Sequence, residues 1–207
     1  MAFDPAPSTS TPPAAGRVSR GRSPERRRAI LDAADRVIQR DGPGASMAAI
    51  AAEAGIGKPV LYRHFGDKSG LYRALARRHV DPLMERVRSE LREPTCLRAR
   101  TRSTVAAYLG MIGANLNLYR FLMHRATAED PPTRGDLGMM VRRLGEEIAG
   151  MLVAEGYIPD PVRAQIVAHA VVGMVQAAGE WWLEHPDMPA GTVVDDLTTA
   201  VVGAISG

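Results

Sequence analysis

Apolar positions recur at three- and four-residue intervals over nearly the whole chain, and alternating β-branched runs are scarce, so the pattern predicts helices throughout. Ser23 is a good N-cap and Pro24 suits a first helical position, so a helix is expected from Pro24 to about Arg40. Its inner face is Ile30, Ala34, Val37 and Ile38, and Asp41-Gly42-Pro43-Gly44 ends it. A short helix capped by Ser46 runs to about Glu53 and turns Ile50, Ala51 and Ala54 inward. Gly55-Ile56-Gly57 makes a tight turn, a third helix spans Lys58 to about Phe65, and Gly66 closes it. Asp67 caps a fourth helix that begins at Lys68 and carries Leu71 and Leu75. Pro82 lacks a backbone donor and crowds the preceding turn, which predicts a kink or break, although the apolar spacing continues through Val80, Met84, Val87 and Leu91.

Further helices are expected at about Leu97–Asn115, Leu118–Ala128, Arg134–Glu155, Pro161–His185 and Pro189–Ile205, each broken from the next by Asn, Gly or Pro clusters. The fold class is therefore all-α, with an N-terminal three-helix unit followed by a larger helical domain. Residues 1–16, rich in Pro, Ala, Ser and Thr, read as a disordered tail. Residues 17–68 form the first unit with a basic arm, and residues 69–207 form the second.

Composition narrows the class. Hydrophobic residues make up 45% of the 207, enough for a real core. Cys96 is the single cysteine, which rules out an intrachain disulfide and fits a reducing compartment, so the expected location is cytoplasmic. No apolar run reaches the roughly 18–20 residues that span a bilayer, so no membrane partner is expected.

Charge changes the picture more. The net +3 divides into +7 over residues 1–80 and −4 over residues 81–207, an anion-seeking first part on a nearly neutral body. The chain has 24 arginines and two lysines, and both lysines, Lys58 and Lys68, fall at the starts of the third and fourth helices. Arg17, Arg20, Arg22, Arg26, Arg27 and Arg28 form an arm able to follow a phosphate backbone or enter a minor groove.

Two short helices joined by a glycine turn, with a longer one before them, match the helix-turn-helix plan, although the same spacing also serves ordinary helical packing. On the third helix Lys58, Pro59, Tyr62 and Arg63 share a stripe opposite Leu61 and Phe65. Lys58 or Arg63 suits guanine O6 and N7, while Tyr62 and His64 suit phosphate oxygens. The helix starts at Ser46 and Lys68 offer free backbone N–H groups for phosphate.

The stretch from Ser46 to Lys68, with its Ala-Gly turn, its Leu-Tyr-x-His-Phe run and a lysine three residues after Phe65, resembles the N-terminal signature of the TetR family of transcription regulators. The likeness covers roughly residues 24–80. It implies an all-helical homodimer whose first three helices bind double-stranded operator DNA and whose remaining helices bind an inducer. Carried over by position, Ser46, Lys58, Pro59, Tyr62, His64 and Lys68 are the implied DNA contacts. Gly57 stands where the family usually has Ser or Thr, which removes a cap and a phosphate contact; Ser69 stands where it usually has Glu.

Downstream there is no catalytic constellation, no Gly-rich phosphate loop and no metal-spaced histidine pair, so neither an enzyme nor a cofactor is expected. His79, His124, His169 and His185 are scattered. Tyr108, Met111 and Asn115 share one helical face, with Phe121 on the next helix. Met140 and Leu144 belong to a third stripe, and Met174 and Trp181 to a fourth. Such stripes are ordinary core material and equally the lining of a site for irregular apolar ligands. The run around Val172–Val175 and Glu180–Leu183 resembles actinobacterial TetR members, some of which respond to long-chain acyl-CoA. Gly173, Ala177, Ala200 and Gly203 permit close approach of the last two helices, which form the dimer interface in the family.

The expected protein is a repressor released from its operator by an apolar or lipid-like ligand, acyl-CoA among them. An activator, a regulator without an inducer and a helical small-molecule binding protein remain open alternatives. Ligand binding is expected to shift the fourth helix, with Pro82 as hinge.

Overall fold

The computed structural model describes residues 23–207, with the backbone alone at 124–127. Arg17, Arg20, Arg22 and the tail at 1–16 lie outside the described residues, as does the His124 side chain. Among the described residues there is no strand.

The first unit consists of α1 (Pro24–Asp41), α2 (Met47–Glu53) and α3 (Lys58–Phe65). Ser23 caps α1 by accepting from the Arg26 N–H at 3.1 Å, and Ser46 caps α2 by accepting from the Ala49 N–H at 3.1 Å. Gly66, at φ 85°, takes the left-handed turn that ends α3. The long α4 (Lys68–Arg92) starts on an Asp67 cap that accepts from the Gly70 N–H at 2.7 Å. Gly70 is demanded by closeness: a Cβ there would lie 1.8 Å from the Phe65 carbonyl oxygen. The end of α3 and the start of α4 thus pack backbone against backbone.

The kink or break expected at Pro82 does not interrupt α4, which runs on to Arg92. Pro82 is exposed, so the Arg78 carbonyl that loses its intrahelical partner faces the solvent side. Leu83, Met84 and Val87 on the inner face are buried and hold both halves on one core.

The second unit contains α5 (Leu97–Ala114), α6 (Leu116–Arg120), α7 (Thr127–Glu129), α8 (Pro131–Ala154), α9 (Pro161–Leu183) and α10 (Ala190–Ser206). Between α6 and α7 the chain widens into π-type winding over Phe121–Ala126, inside what the apolar spacing predicts as one regular helix. The apolar cluster that begins with Ile30 runs through Leu61, Leu71 and Tyr72 and takes in Leu118, Phe121, Leu122 and Leu137. The first unit is therefore welded to α6 and α8 by shared core. Asn117 adds a polar rivet, its amide donating to the Gln39 carbonyl at 2.6 Å.

Among the described residues no helix is long and apolar enough to cross a membrane, and no group of three or more His, Cys, Asp or Glu side chains could hold a metal ion.

Candidate nucleic-acid interface and ligand cavity

On α3, Leu61 and Phe65 are buried while Lys58, Pro59 and Arg63 are exposed, with Tyr62 and His64 half-buried at the edges. The helix therefore presents one outward stripe carrying an ammonium, a guanidinium and a phenol. Gly57 caps α3 with no side-chain hydrogen bond, which leaves the first N–H groups of α3 open to an outside acceptor. Ser46 stands at the start of α2, its hydroxyl already engaged as the cap.

Lys68 is differently placed. It is ion-paired with Glu129 of α7 and lies 5.5 Å from the centroid of the Tyr72 ring. Glu129 also accepts from the Tyr72 hydroxyl at 2.9 Å. The Glu129 carboxylate raises the Lys68 pKa and keeps the ammonium charged. Beside it, Ser69 donates to the buried Asp130 at 2.5 Å, and Asp130 caps α8 through the Thr133 N–H. Ser69 thus ties α4 to α8, a role its sequence position gave no sign of.

The structure gathers further cations near this surface. Arg27 lies over the Phe65 ring at 4.8 Å, and with Arg73, Arg77 and Arg78 it lines a shallow groove between α1 and α4. Sequence spacing missed the last three because they stand some fifty residues from Arg27. Arg78 is committed to Asp32 and Asp35 of α1, and His79 shares Asp35 at 2.8 Å.

The second site is an apolar cavity of about 220 Å³ bounded by α4, α5, α6, α8, α9 and α10. Five residues named from the sequence line it: Tyr108, Met111, Asn115, Met140 and Leu144. Three do not. Phe121 is fully buried edge-on against Tyr72, centroids 5.3 Å apart, because the widened winding turns it toward the first unit while Leu122 and Met123 face the cavity. Met174 packs between α9 and its neighbours, since Val171, Val172 and Val175 form the cavity side of α9. Trp181 is 47% exposed and stacks on His185 at 4.1 Å. The inward tryptophan is Trp182, whose Nε1 donates to the Met188 carbonyl at 3.0 Å.

Sequence reasoning also missed polar cavity residues. Arg100, Thr104, Tyr108, Met111 and Asn115 continue one stripe along α5, so following the Tyr108 face upstream would have found the first two. Near the far end Tyr119 donates to Glu180 at 3.0 Å. Burial pushes the Tyr108 and Tyr119 phenols above their ordinary range, so both remain neutral hydroxyl groups.

The two sites share a wall. His79, Val80, Leu83 and Met84 of α4 line the cavity, while Leu71, Tyr72 and Leu75 of the same helix lie in the core of the first unit.

A helix-turn-helix with a basic outward face, joined through one helix to a helical domain that holds an apolar cavity, is the architecture of a DNA-binding regulator. The chain belongs to the TetR family: the tetR-family model of bacterial regulatory proteins matches residues 30–75, and the tetracyclin repressor-like C-terminal domain matches residues 78–207. It is 31% identical over 93% of its length, and 86% of the relative's, to the transcriptional activator FasR of Mycolicibacterium smegmatis. Its fold is similar to that of a TetR-like regulator from Rhodococcus sp. RHA1, with TM-score 0.69, 25% identity and coverage of 88% and 96% of the two chains. It is also similar in fold to FadR of Bacillus subtilis, solved with stearoyl-CoA, at TM-score 0.71, 16% identity and coverage of 86% and 98%.

Proposed function

We propose that this transcription regulator is a repressor that binds its operator through α2 and α3 and releases it when an apolar, lipid-like molecule occupies the cavity. The observation that carries this reading is the double duty of α4, which is core to the DNA-binding unit and wall to the cavity. A ligand that fits one position of α4 better than another shifts the equilibrium between them, and only by that difference in affinity.

The size of the cavity supports the coupling. A cavity of about 150 Å³ suffices for benzene, so about 220 Å³ has room for about nine heavy atoms. A longer acyl chain must push the walls apart, and α4 is one of those walls. FadR of Bacillus subtilis, similar in fold, was solved in complex with stearoyl-CoA, which supports this reading. The methionines here, Met84, Met111, Met123 and Met140, are walls that repack readily.

On the DNA side Lys58 and Arg63 read bases, Tyr62, His64 and Ser46 hold phosphates, Pro59 packs on the groove, and Lys68 adds a phosphate contact. The working form is a homodimer joined through α9 and α10, acting in the cytoplasm where the operator is. On α9, Val162 and Ile166 are 69% and 66% exposed, in line with Gly173 and Trp181, an apolar stripe suited to a second copy. Dimerisation sets two recognition helices roughly 34–36 Å apart, one DNA turn, or a multiple of that.

Anisotropy titration with DNA from upstream of its own coding region tests this. Affinity should fall steeply with salt, and palmitoyl-CoA should lower it at least tenfold. Binding that ignores salt, or DNA affinity indifferent to every acyl-CoA tried, would sink the reading. The likeness to FasR favours a second reading, an activator built on the same two sites. A promoter-reporter assay decides between them: removal of the regulator raises expression if it represses and lowers it if it activates.

A further inference from the structure

Two buried side-chain atoms lack a hydrogen-bond partner among the described residues, Arg100 Nε and Thr104 Oγ1, and both belong to residues that line the cavity. They stand one turn apart on α5, on the same face. A buried polar group left unpaired has given up its hydration for nothing, so a wall of this composition calls for a partner to complete it.

The remaining donors of Arg100 are engaged. Nη1 donates to Glu155 at 2.7 Å and to the Leu91 carbonyl at 3.2 Å, and Nη2 donates to Glu155 at 2.5 Å. The arginine is 5% exposed. Glu155 holds the guanidinium charged and is itself held ionised, its carboxyl kept below the usual range by Arg100. The pair therefore sums to zero charge, and what Arg100 and Thr104 hold in reserve behind the cavity wall is hydrogen-bonding capacity without net positive charge. An ionised carboxylate placed there would meet no uncompensated cation and would lose its hydration among Val, Leu and Met side chains, which disfavours it strongly. A neutral acceptor suffers no such penalty.

We infer that Arg100 and Thr104 form the polar anchor of the cavity, and that the part of the ligand seated there is uncharged and carries a carbonyl acceptor, an ester, thioester, amide or ketone, on an apolar chain. Arg100 Nε–H and the Thr104 hydroxyl donate to that oxygen. The chain extends along α5 past Met111 toward Asn115 and Gln176. This deepens the ligand-controlled reading above and rests on it.

Three small probes separate the possibilities on the full-length protein, each measured by displacement of Nile red: methyl hexanoate (neutral, with a carbonyl), hexanoate (anionic) and ethylbenzene (no acceptor). Methyl hexanoate should bind at least tenfold more tightly than hexanoate at pH 7. Thr104→Val, which keeps shape and removes the hydroxyl, should weaken methyl hexanoate about fivefold, the effect of one ordinary hydrogen bond. The same variant should leave ethylbenzene within twofold, which also shows that the cavity is intact. Hexanoate binding as tightly as the ester would overturn the inference. So would an ester affinity unchanged by Thr104→Val, the result expected if a water molecule satisfies these two groups. Ethylbenzene binding alone would reject the polar anchor and leave the apolar cavity standing. Displacement by none of the three would remove the cavity reading itself, and the anchor with it.

Discussion

The two ends of this molecule are built on opposite principles. The DNA-binding end is made of short, local pieces: three helices within some forty residues, each with its own cap, closed onto α4 where Gly66 and Gly70 let the backbone turn and close up. The C-terminal end is made of distant pieces, with Leu83, Arg100, Met140 and Val175 meeting around the apolar cavity. One end is a rigid shape that must fit a fixed groove. The other is an apolar hollow walled by side chains from several helices, methionines among them. The difference teaches where each end is vulnerable: the first to backbone disturbance, the second to volume and polarity.

Gly70→Ala probes the rigid end and should have the largest effect. Its Cβ would meet the Phe65 carbonyl oxygen, a backbone atom that cannot swing aside, so stability should fall by about 3 kcal/mol or more, with loss of operator binding. Thermal unfolding measures the first and anisotropy the second. Gly110→Ala on α5, where nothing lies within 4 Å of the added Cβ, should instead stabilise by about 0.5–1 kcal/mol. Equal behaviour of the two variants would erase the distinction.

Lys58→Ala combined with Tyr62→Ala should lower stability by only about 1 kcal/mol, since the Lys58 side chain is exposed and the half-buried Tyr62 packs on the edge of the core. Operator affinity should fall by about 1–3 kcal/mol, from about fivefold to over a hundredfold, and the salt slope should lessen by about 1. Intact affinity would remove α3 as the recognition helix.

Glu155→Gln tests the sensing end through pH. The Glu155 carboxyl is held below its ordinary range by Arg100, so its stabilisation is present above about pH 4.3, the ordinary glutamate value, and is lost as pH falls through the lower folded-state pKa. The variant should be about 1–2 kcal/mol less stable at neutral pH, less than a fully buried pair because Glu155 is partly exposed. That gap should close in acid, as urea unfolding at several pH values would reveal.

The smallest effect belongs to the seam between the ends. Glu129→Gln removes the carboxylate that engages Lys68. Operator affinity should rise about two- to threefold, in keeping with the modest worth of an exposed pair, and the rise should vanish at high salt. No rise would mean that Lys68 does not contact DNA phosphate.

The same contrast explains what could be read from the chain beforehand. The caps at Ser23, Ser46 and Asp67, the span of α3 and its buried Leu61 and Phe65 follow from spacing, because helices and turns obey local rules. Pro82 misled because removal of one solvent-side bond does not break a helix whose inner face is pinned by Leu83 and Met84. The cavity was half legible. Tyr108, Met111 and Asn115 declare a face, but helical period alone does not say which neighbour that face meets. Phe121 went astray for a local reason, the wide winding that rotates it away from its expected side. Of two adjacent tryptophans, Trp182 turned inward and Trp181 outward, a choice fixed by tertiary fit against Gly113. Ion pairs such as Lys68 with Glu129, sixty residues apart, have no signature in either periodicity.

The central claim is that cavity occupancy and operator binding are linked through α4. The most direct test is an anisotropy titration of upstream DNA with an apolar extract of the host's cells, comparing the unaltered protein with Val175→Trp, which fills the cavity from α9 far from the DNA surface. The account predicts that the extract changes the unaltered protein's operator affinity at least tenfold, while the filled variant holds one fixed operator affinity and ignores the extract. An extract that shifts both proteins equally, or neither, would contradict it.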